Sequence, residues 1–575
     1  MNRVAFGIDL GTSTSVVSYI HNDRPVTIND PKSKSPIVPS IVALSARDDT
    51  LLVGNDALGK VDPATVVREA KRYMGTDHEF AVGANILTAP QVAALVLRKL
   101  KENAEQITGY KLTEAVITVP AYFDDLPRRA TELAANLADI KTLRLISEPV
   151  AAATAYGLDK LSDQAMLVVF DFGGGTLDVT IIELLAGVLE VKATHGNKEL
   201  GGKDIDDAFM RYVTDRANVP FPVAGTLYFE LLKREVEKAK KDLSVDRSSD
   251  IILDQCRDSA TGRTFDIDVQ VTREQFNAVI QPIIDQAVDC VTVALDKAGV
   301  GRGEINRLLL VGGTCYTPKV RESIESMFAL KAEAGLDPDL AVSQGAAISA
   351  GLKVGAIEAD DAVIVQDAAT YRIGTTILTE VGSQRMAKFA ELMPANAKVP
   401  FMRKQRYTLL NCTQDECEID VLIDPKGTAI FPEDAQQTGA VGMLTDIPPS
   451  PTGEPWAIDV EITYDENHIV QVEAKVVGLD KQLTLKLNQS EFVANSLRSI
   501  ELHNTVSELW NNAPQAARNA ALIKRAESLA SKHPASSEKI EAIVDDLKRA
   551  IADDSENRIH DARVRLAQFL ESIAQ

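Results

Sequence analysis

Three consecutive glycines between two apolar, β-branched runs leave this chain little choice of local structure. In Met166–Glu183 (MLVVFDFGGGTLDVTIIE), the run Met166–Phe170, the glycines Gly173, Gly174 and Gly175, and the run Leu177–Ile182 read as strand, tight turn and antiparallel strand. Asp171 stands where the first strand enters the turn. Glycine N–H groups unshielded by Cβ atoms form a concave turn that can wrap a phosphate, and a carboxylate beside it suits the accompanying Mg²⁺. Taken alone, the stretch is equally an ordinary glycine-rich hairpin.

The N-terminus repeats the pattern. Val4–Ile20 (VAFGIDLGTSTSVVSYI) has an apolar strand, Asp9, Gly11, hydroxyl residues and a β-branched return strand. Two such units imply two related lobes, each offering one hairpin to the same polyphosphate. A chain of 575 residues exceeds one core and divides into several domains. Its net charge of -22 repels nucleic acid and anionic membranes, which excludes both as partners. A bound polyphosphate must therefore be held by local N–H groups, a few lysines and a metal. Five cysteines lack disulfide or zinc spacing, Cys412 and Cys417 included, and read as reduced thiols. The first strand begins at once and no apolar run approaches membrane-spanning length, so a cytoplasmic location is expected.

In chain order, Lys71 and Arg72 (REAKRYMG) fall near the end of an expected helix, and such a basic pair reads by default as solvated surface. Ala89–Ile107 has the spacing of an amphipathic helix, and Ala115–Val119 is a buried strand stopped by Pro120. Ser147-Glu148-Pro149 puts a carboxylate at a helix start. Gly196–Lys203 fails as a P-loop, because its spacing is off by one and no Ser or Thr follows the lysine. Leu231–Ser244 is a charged helix whose lysines face solvent by default. Leu308–Gly313 is a strand ending in a glycine turn, a place where ligands bind. Tyr371–Leu487 alternates as β-structure, and helices follow from Gln489, with one apolar stripe from Ile540 to Ile551 and another from Ile559 to Ile573.

The segments GIDLGTSTS, EAKRYMG, ITVPAYFDD, ISEPVAAATAYGLD, FDFGGGTLDVTIIE, LGGKDID, EKAKKDLS and LLLVGGTCYTPK, in this order, resemble the seventy-kilodalton heat-shock (DnaK-like) chaperones. The phosphate hairpins are shared with actin and sugar kinases; PAYF, SEPVAAA and the later linker point to the chaperones. The resemblance implies a multidomain chain. It would have a two-lobed actin-like α/β ATPase domain over 1–358, an interdomain linker over 359–370, a β-sandwich substrate-binding domain over 371–488 and a helical lid over 489–575. It also implies ATP/ADP and Mg²⁺ as cofactors.

Carried onto this sequence, the family pattern has Asp9 and Asp171 binding Mg²⁺ through its waters, Lys71 against the γ-phosphate, and Glu148 and Thr176 ordering the attacking water. Gly11, Thr12, Ser13, Gly173, Gly174, Gly175, Gly201 and Gly202 would cradle phosphates. Glu237, Lys240, Lys241, Ser244, Gly312, Gly313, Thr314, Tyr316 and Asp339 would frame the adenosine. Pro120, Arg128, Arg144 and Asp367 would couple the domains, with Arg144 and Asp367 receiving a J-domain co-chaperone at the linker (DDAVIVQD, Asp360–Asp367). Phe389, Leu410, Cys417 and Ile419 would line a groove for an extended apolar peptide, Phe389 and Leu410 facing each other as an arch; ordinary sandwich core is the competing reading.

This chain departs from the family at Tyr316, where an arginine usually stacks on adenine, and at Cys315, Ser147, Asp124 and Gln366. Tyrosine still offers a stacking face. The short helical segment suggests a specialised bacterial-type paralogue. The resulting expectation is an ATP-driven chaperone for unfolded polypeptide clients, served by a J-domain protein and a nucleotide-exchange factor. A non-hydrolysing regulator or exchange factor of the same fold, and a small-molecule kinase of the actin-like superfamily, are the alternatives.

Overall fold

The computed structural model describes residues 4–357 apart from 60, 158–163, 186–187 and 336, and residues 364–487 apart from 367, 370, 382–383, 396, 426 and 466–468. It further describes residues 496–511, 534–552 and isolated positions at 526 and within 558–569.

The chain opens as the expected hairpin, β1 (Phe6–Leu10) antiparallel to β2 (Thr14–His21). β3 (Arg24–Thr27) and the short β4 (Val38–Pro39) flank β2. Two small hairpins follow, β5 (Val42–Leu44) with β6 (Leu51–Val53) and β7 (Glu79–Val82) with β8 (Asn85–Thr88). Helix α1 (Ala89–Thr108) starts at a Thr88/Gln91 capping box and stops at Gly109 in the left-handed conformation. β9 (Glu114–Val119) then lies parallel to β1; α2 (Asp125–Leu137) crosses over to β10 (Lys141–Ser147), parallel to β9. The sheet order is β10-β9-β1-β2-β3.

Helix α3 (Glu148–Gly157) leads to the second hairpin, β11 (Gln164–Phe172) with β12 (Leu177–Leu185), and β13 (Val188–Asn197) extends it. Next come α4 (Gly202–Ala217), α5 (Leu227–Val245), the hairpin β14 (Ser248–Arg257) with β15 (Thr264–Thr272), and α6 (Arg273–Ala298). β16 (Arg307–Val311) returns parallel to β11. The order β16-β11-β12-β13 matches β9-β1-β2-β3 strand for strand, so the internal repeat extends well beyond the two hairpins. After α7 (Pro318–Phe328), α8 (Ala341–Val354) joins α3 in a core that takes side chains from both sheets, among them Val116 and Ile146 from the first and Leu167, Val169 and Leu309 from the second. By length and composition α6 could cross a membrane, yet Phe276, Ile280, Ile284, Ala287 and Val291 are buried in the core beneath the second sheet.

β17 (Ile364–Gln366) pairs in parallel with β13 at the free edge of that sheet. Two four-stranded antiparallel sheets follow. One has the order β19-β18-β21-β22 and consists of β18 (Arg372–Val381), β19 (Gln384–Met393), β21 (Cys417–Asp424) and β22 (Gln436–Leu444). The other has the order β20-β23-β24-β25 and consists of β20 (Phe401–Thr408), β23 (Ala457–Tyr464), β24 (Val470–Val476) and β25 (Gln482–Lys486). Alternation in β23 turns Ile458, Val460 and Ile462 inward against Ile373, Val421 and Ile423 of the facing sheet.

Helix α9 (Ser496–Asn511) buries Val506 and Trp510 in the core that α1 and α2 form on the first sheet, and Arg98 Nη2 donates to Ser507 Oγ at 2.9 Å. In α10 (Pro534–Ala552), Ile540, Val544 and Leu547 pack with Ala562 and Leu566. The expected apolar stripes are present there, while the side chains of Ile551, Ile559 and Ile573 lie outside the described residues.

Candidate active site: a cleft between two hairpin turns

The two hairpin turns meet head on. A Cβ placed on Gly174 would lie 2.0 Å from Ser13 Oγ, so only glycine allows this approach. At the end of β16, Gly312 has φ +83° and its Hα side abuts the Phe172 carbonyl, where a Cβ would fall 2.5 Å from the oxygen. These turns, with Pro338, Asp339 and Val342, bound a cavity of about 520 Å³ counted to its open mouth. Gly11, Thr12, Ser13, Gly173, Gly174, Gly313, Lys71, Glu148, Asp171, Thr176 and Asp9 all line it. Gly202 N–H donates to the Gly173 carbonyl at 3.0 Å, and Thr314 Oγ1 donates to the same oxygen at 2.8 Å, so α4 and the β16 turn brace the glycine turn from behind.

Lys71 does not end a helix. Val67 pairs with Val42 through backbone hydrogen bonds in both directions, which holds the chain extended up to Arg68. Glu69 then takes φ +58°, and only one 3-10 turn, Ala70–Tyr73, remains. That turn buries Lys71, whose Nζ contacts Glu148 Oε1 at the first residue of α3. Arg72 is not solvated surface either: its Nε donates to the Gly175 carbonyl at 3.0 Å and its Nη2 pairs with Asp204 at 2.9 Å.

Burial, followed by the charge of Glu148, raises the Asp9 carboxyl to about 7, against the opposing effects of Lys71 and of Thr118 Oγ1, which donates to it at 2.9 Å. Asp171 is pushed well above the usual carboxylate range by burial and then by Glu148, Asp178 and Asp9. Asp178, 1% exposed, is also raised, first by burial, and neither of its oxygens has a hydrogen-bond partner of good geometry. Buried carboxylates thus outnumber the one buried ammonium, and a dication would relieve their repulsion. Among the described residues no three His, Cys, Asp or Glu side chains converge as direct metal ligands. Asp9 and Asp171, both lining the cleft, are oxygen donors of the kind that suits a hard dication such as Mg²⁺. Asp178 was missed in the sequence; its signal was a carboxylate inside Leu177–Ile182, six consecutive buried residues.

The α5 residues form one face but do not line the cavity. Lys240 pairs with Asp206 at 2.6 Å, Lys241 with Glu237 at 2.7 Å, and Ser244 Oγ donates back to the Lys240 carbonyl. Gly201 backs onto Gly175, with a Cβ there only 2.6 Å from its backbone. Tyr316 is 44% exposed and its hydroxyl donates to Asp337 at 2.8 Å. Asp339 is raised to about 6 by burial and then by Asp337.

Pro120 follows β9, Arg128 is buried on α2 with its Nε donating to the Phe123 carbonyl at 3.0 Å, and Arg144 lies on β10; Asp367 lies outside the described residues. Phe389 is buried against Leu422 and Ala429 beneath the Arg372 guanidinium, while Leu410, 38% exposed, lies just after β20 of the other sheet. Ile419 belongs to the core shared by the two sheets, and Cys417 packs at its margin.

Two glycine turns close on a cleft of buried carboxylates and one lysine, an arrangement whose chemistry suits a polyphosphate with a metal ion. The chain matches the family model "Hsp70 protein" over residues 5–86 and 79–575. It is 33% identical to "Chaperone protein DnaK" of Picrophilus torridus over 591 aligned residues, covering 99% of this chain and 93% of that protein. The chain belongs to the Hsp70 family. It is accordingly an ATP-dependent molecular chaperone with ATPase activity, and the family's architecture joins an actin-like ATPase part to a substrate-binding part.

Proposed function

We propose that residues 1–358 form a two-lobed ATPase domain whose cleft is the nucleotide site, joined by a linker over 359–370 to a β-sandwich over 371–488 and a helical lid over 489–575. The observation that carries this reading is the contact of the two glycine turns above Asp9, Asp171 and the Lys71–Glu148 pair. Asp9 and Asp171 would hold Mg²⁺ through its waters, and the bound ion would neutralise charge on the phosphates. Lys71 contributes a positive charge where the γ-phosphate develops negative charge, and Glu148 and Thr176 orient the attacking water. Phosphoryl transfer is mostly positioning and electrostatic stabilisation, so this set suffices without a covalent nucleophile. The backbone of Gly11–Ser13 and Gly173–Gly175 cradles the phosphates. Gly312, Gly313 and Asp339, with the Glu237–Ser244 face of α5 and the ring of Tyr316, frame the adenosine.

Coupling runs through the linker. Pairing of β17 with β13 supports docking of the linker on the ATPase domain, an element that pairs in one state and releases in another. Leu410 and Cys417 are the groove candidates left accessible, whereas Phe389 and Ile419 serve as core. Clients are extended polypeptide segments, and a J-domain protein meets Arg144 and Asp367 while an exchange factor resets the nucleotide. Five free cysteines support a reducing, cytoplasmic setting. The test is release of a bound fluorescent unfolded peptide on adding Mg-ATP. Faster dissociation with ATP than with ADP is expected; equal dissociation with both would remove the coupling.

A further inference from the structure

The segment Arg68–Arg72 reaches across the cleft to the second half of the ATPase fold. Arg68 pairs with Glu230 at 2.8 Å, and Glu69 accepts from Lys233 at 3.0 Å. Arg72 differs from both in what it touches. Its Nε and Nη2 both donate to the Gly175 carbonyl, and Nη2 also pairs with Asp204. Asp204 in turn accepts the Gly201 N–H at 2.7 Å, and Gly201 is stacked directly on Gly175. The Arg72 side chain is 12% exposed. Its fork therefore grips the peptide group that joins Gly175 to Thr176.

We propose that Arg72 is a positioning residue for ATP hydrolysis. Carried by the first half of the cleft, it fixes the Gly175–Thr176 peptide of the second half, so that Thr176 takes its working orientation only when the halves are together. The inference rests on the reading of this cleft as the ATPase site. A glycine peptide has wide conformational freedom, which a forked pair of bonds to its carbonyl removes. A lysine at position 72 would keep the charge without the planar fork.

The test compares full-length wild type with Arg72→Ala, Arg72→Lys and Arg68→Ala, measuring single-turnover hydrolysis of Mg-ATP and, separately, ATP affinity. Because an error of 1 Å in positioning can cost 10²-fold, Arg72→Ala should lose about 10- to 100-fold in rate with affinity held within about threefold. Arg72→Lys should recover less than about a third of the wild-type rate. Arg68→Ala removes a cross-cleft ion pair without touching the turn and should keep the wild-type rate. The inference is overturned by a wild-type rate in Arg72→Ala, by full rescue in Arg72→Lys, by an equal loss in Arg68→Ala, or by a loss confined to affinity. If Arg72→Ala does not fold, Asp204→Asn loosens the same guanidinium from its other side; a several-fold lower rate is expected, and an unchanged rate overturns the inference. Wild-type protein that hydrolyses no ATP would overturn the proposed site itself, whereas wild-type turnover with an unaffected Arg72→Ala overturns the inference alone.

Discussion

Replacing Gly174 by alanine puts one methyl group between the two hairpin turns. The new Cβ would lie 2.0 Å from Ser13 Oγ and 2.6 Å from Ser13 Cβ, both well inside an ordinary contact of about 3.5 Å. Rotating Ser13 cannot relieve the clash, because its Cβ moves only with the backbone. The turns must separate by on the order of 1 Å, and overpacking of this kind costs about 1–3 kcal/mol. A displacement of that size between groups that position a phosphate and its attacking water should lower single-turnover hydrolysis about 10²-fold. The geometry also supplies a rescue. Ser13→Gly removes both near atoms and leaves Cα of residue 13 at 3.7 Å, an ordinary contact. The double variant should regain at least about tenfold of the lost rate, while Ser13→Gly alone, which keeps the backbone N–H groups of the turn, loses only about threefold through the turn's added freedom. Hydrolysis at the wild-type rate in Gly174→Ala, or a double variant no faster than the single, would refute the close meeting of the turns.

Lys71→Ala should lower hydrolysis at least about 100-fold with ATP binding largely kept, measured by single turnover and equilibrium titration; near-normal turnover would remove its charge-stabilising role. Asp339 gives a pH dependence. Its folded-state value of about 6 lies above the ordinary carboxylate range, so the native protein takes up a proton between pH 4 and 6 that the unfolded chain does not, and its contribution to stability falls as pH rises through that window. Asp339→Asn should therefore raise the thermal midpoint of the nucleotide-free protein above pH 6 and leave it unchanged near pH 4; an equal effect at both would contradict the shift. Neutralising Arg144 or Asp367 should abolish J-protein stimulation and leave basal hydrolysis intact, and unaltered stimulation in both variants would place the partner elsewhere.

The hairpins, their glycines and the entry carboxylates were legible because each rests on contacts within a few residues: strand periodicity, a turn that only glycine fits, an acid at a strand end. Glu148 was legible for the same reason, as an acid before proline at a helix start. Arg72 was not, since its partners Gly175 and Asp204 lie 103 and 132 residues away and nothing local separates it from a solvated base. Asp178 hides in a run whose side chains enter the cores on both faces of the sheet, which helices distant in sequence complete. The helix expected to end near Lys71 is reduced to the single turn Ala70–Tyr73 because Val67 is claimed by Val42, a pairing invisible to local propensity. In the β-rich part, alternation marked Ala457–Tyr464 and Ile469–Val476 as strands, but which sheet each strand joined depended on long-range register, so the burial of Phe389 on β19 and the exposure of Leu410 after β20 were not legible.

Single-turnover hydrolysis of Mg-ATP, with and without a saturating unfolded peptide, tests most directly the claim that one chain couples this cleft to a peptide site. The account predicts slow hydrolysis by the protein alone and a severalfold faster rate with peptide, both lost in Lys71→Ala. A rate indifferent to peptide, or turnover that survives Lys71→Ala, would contradict it.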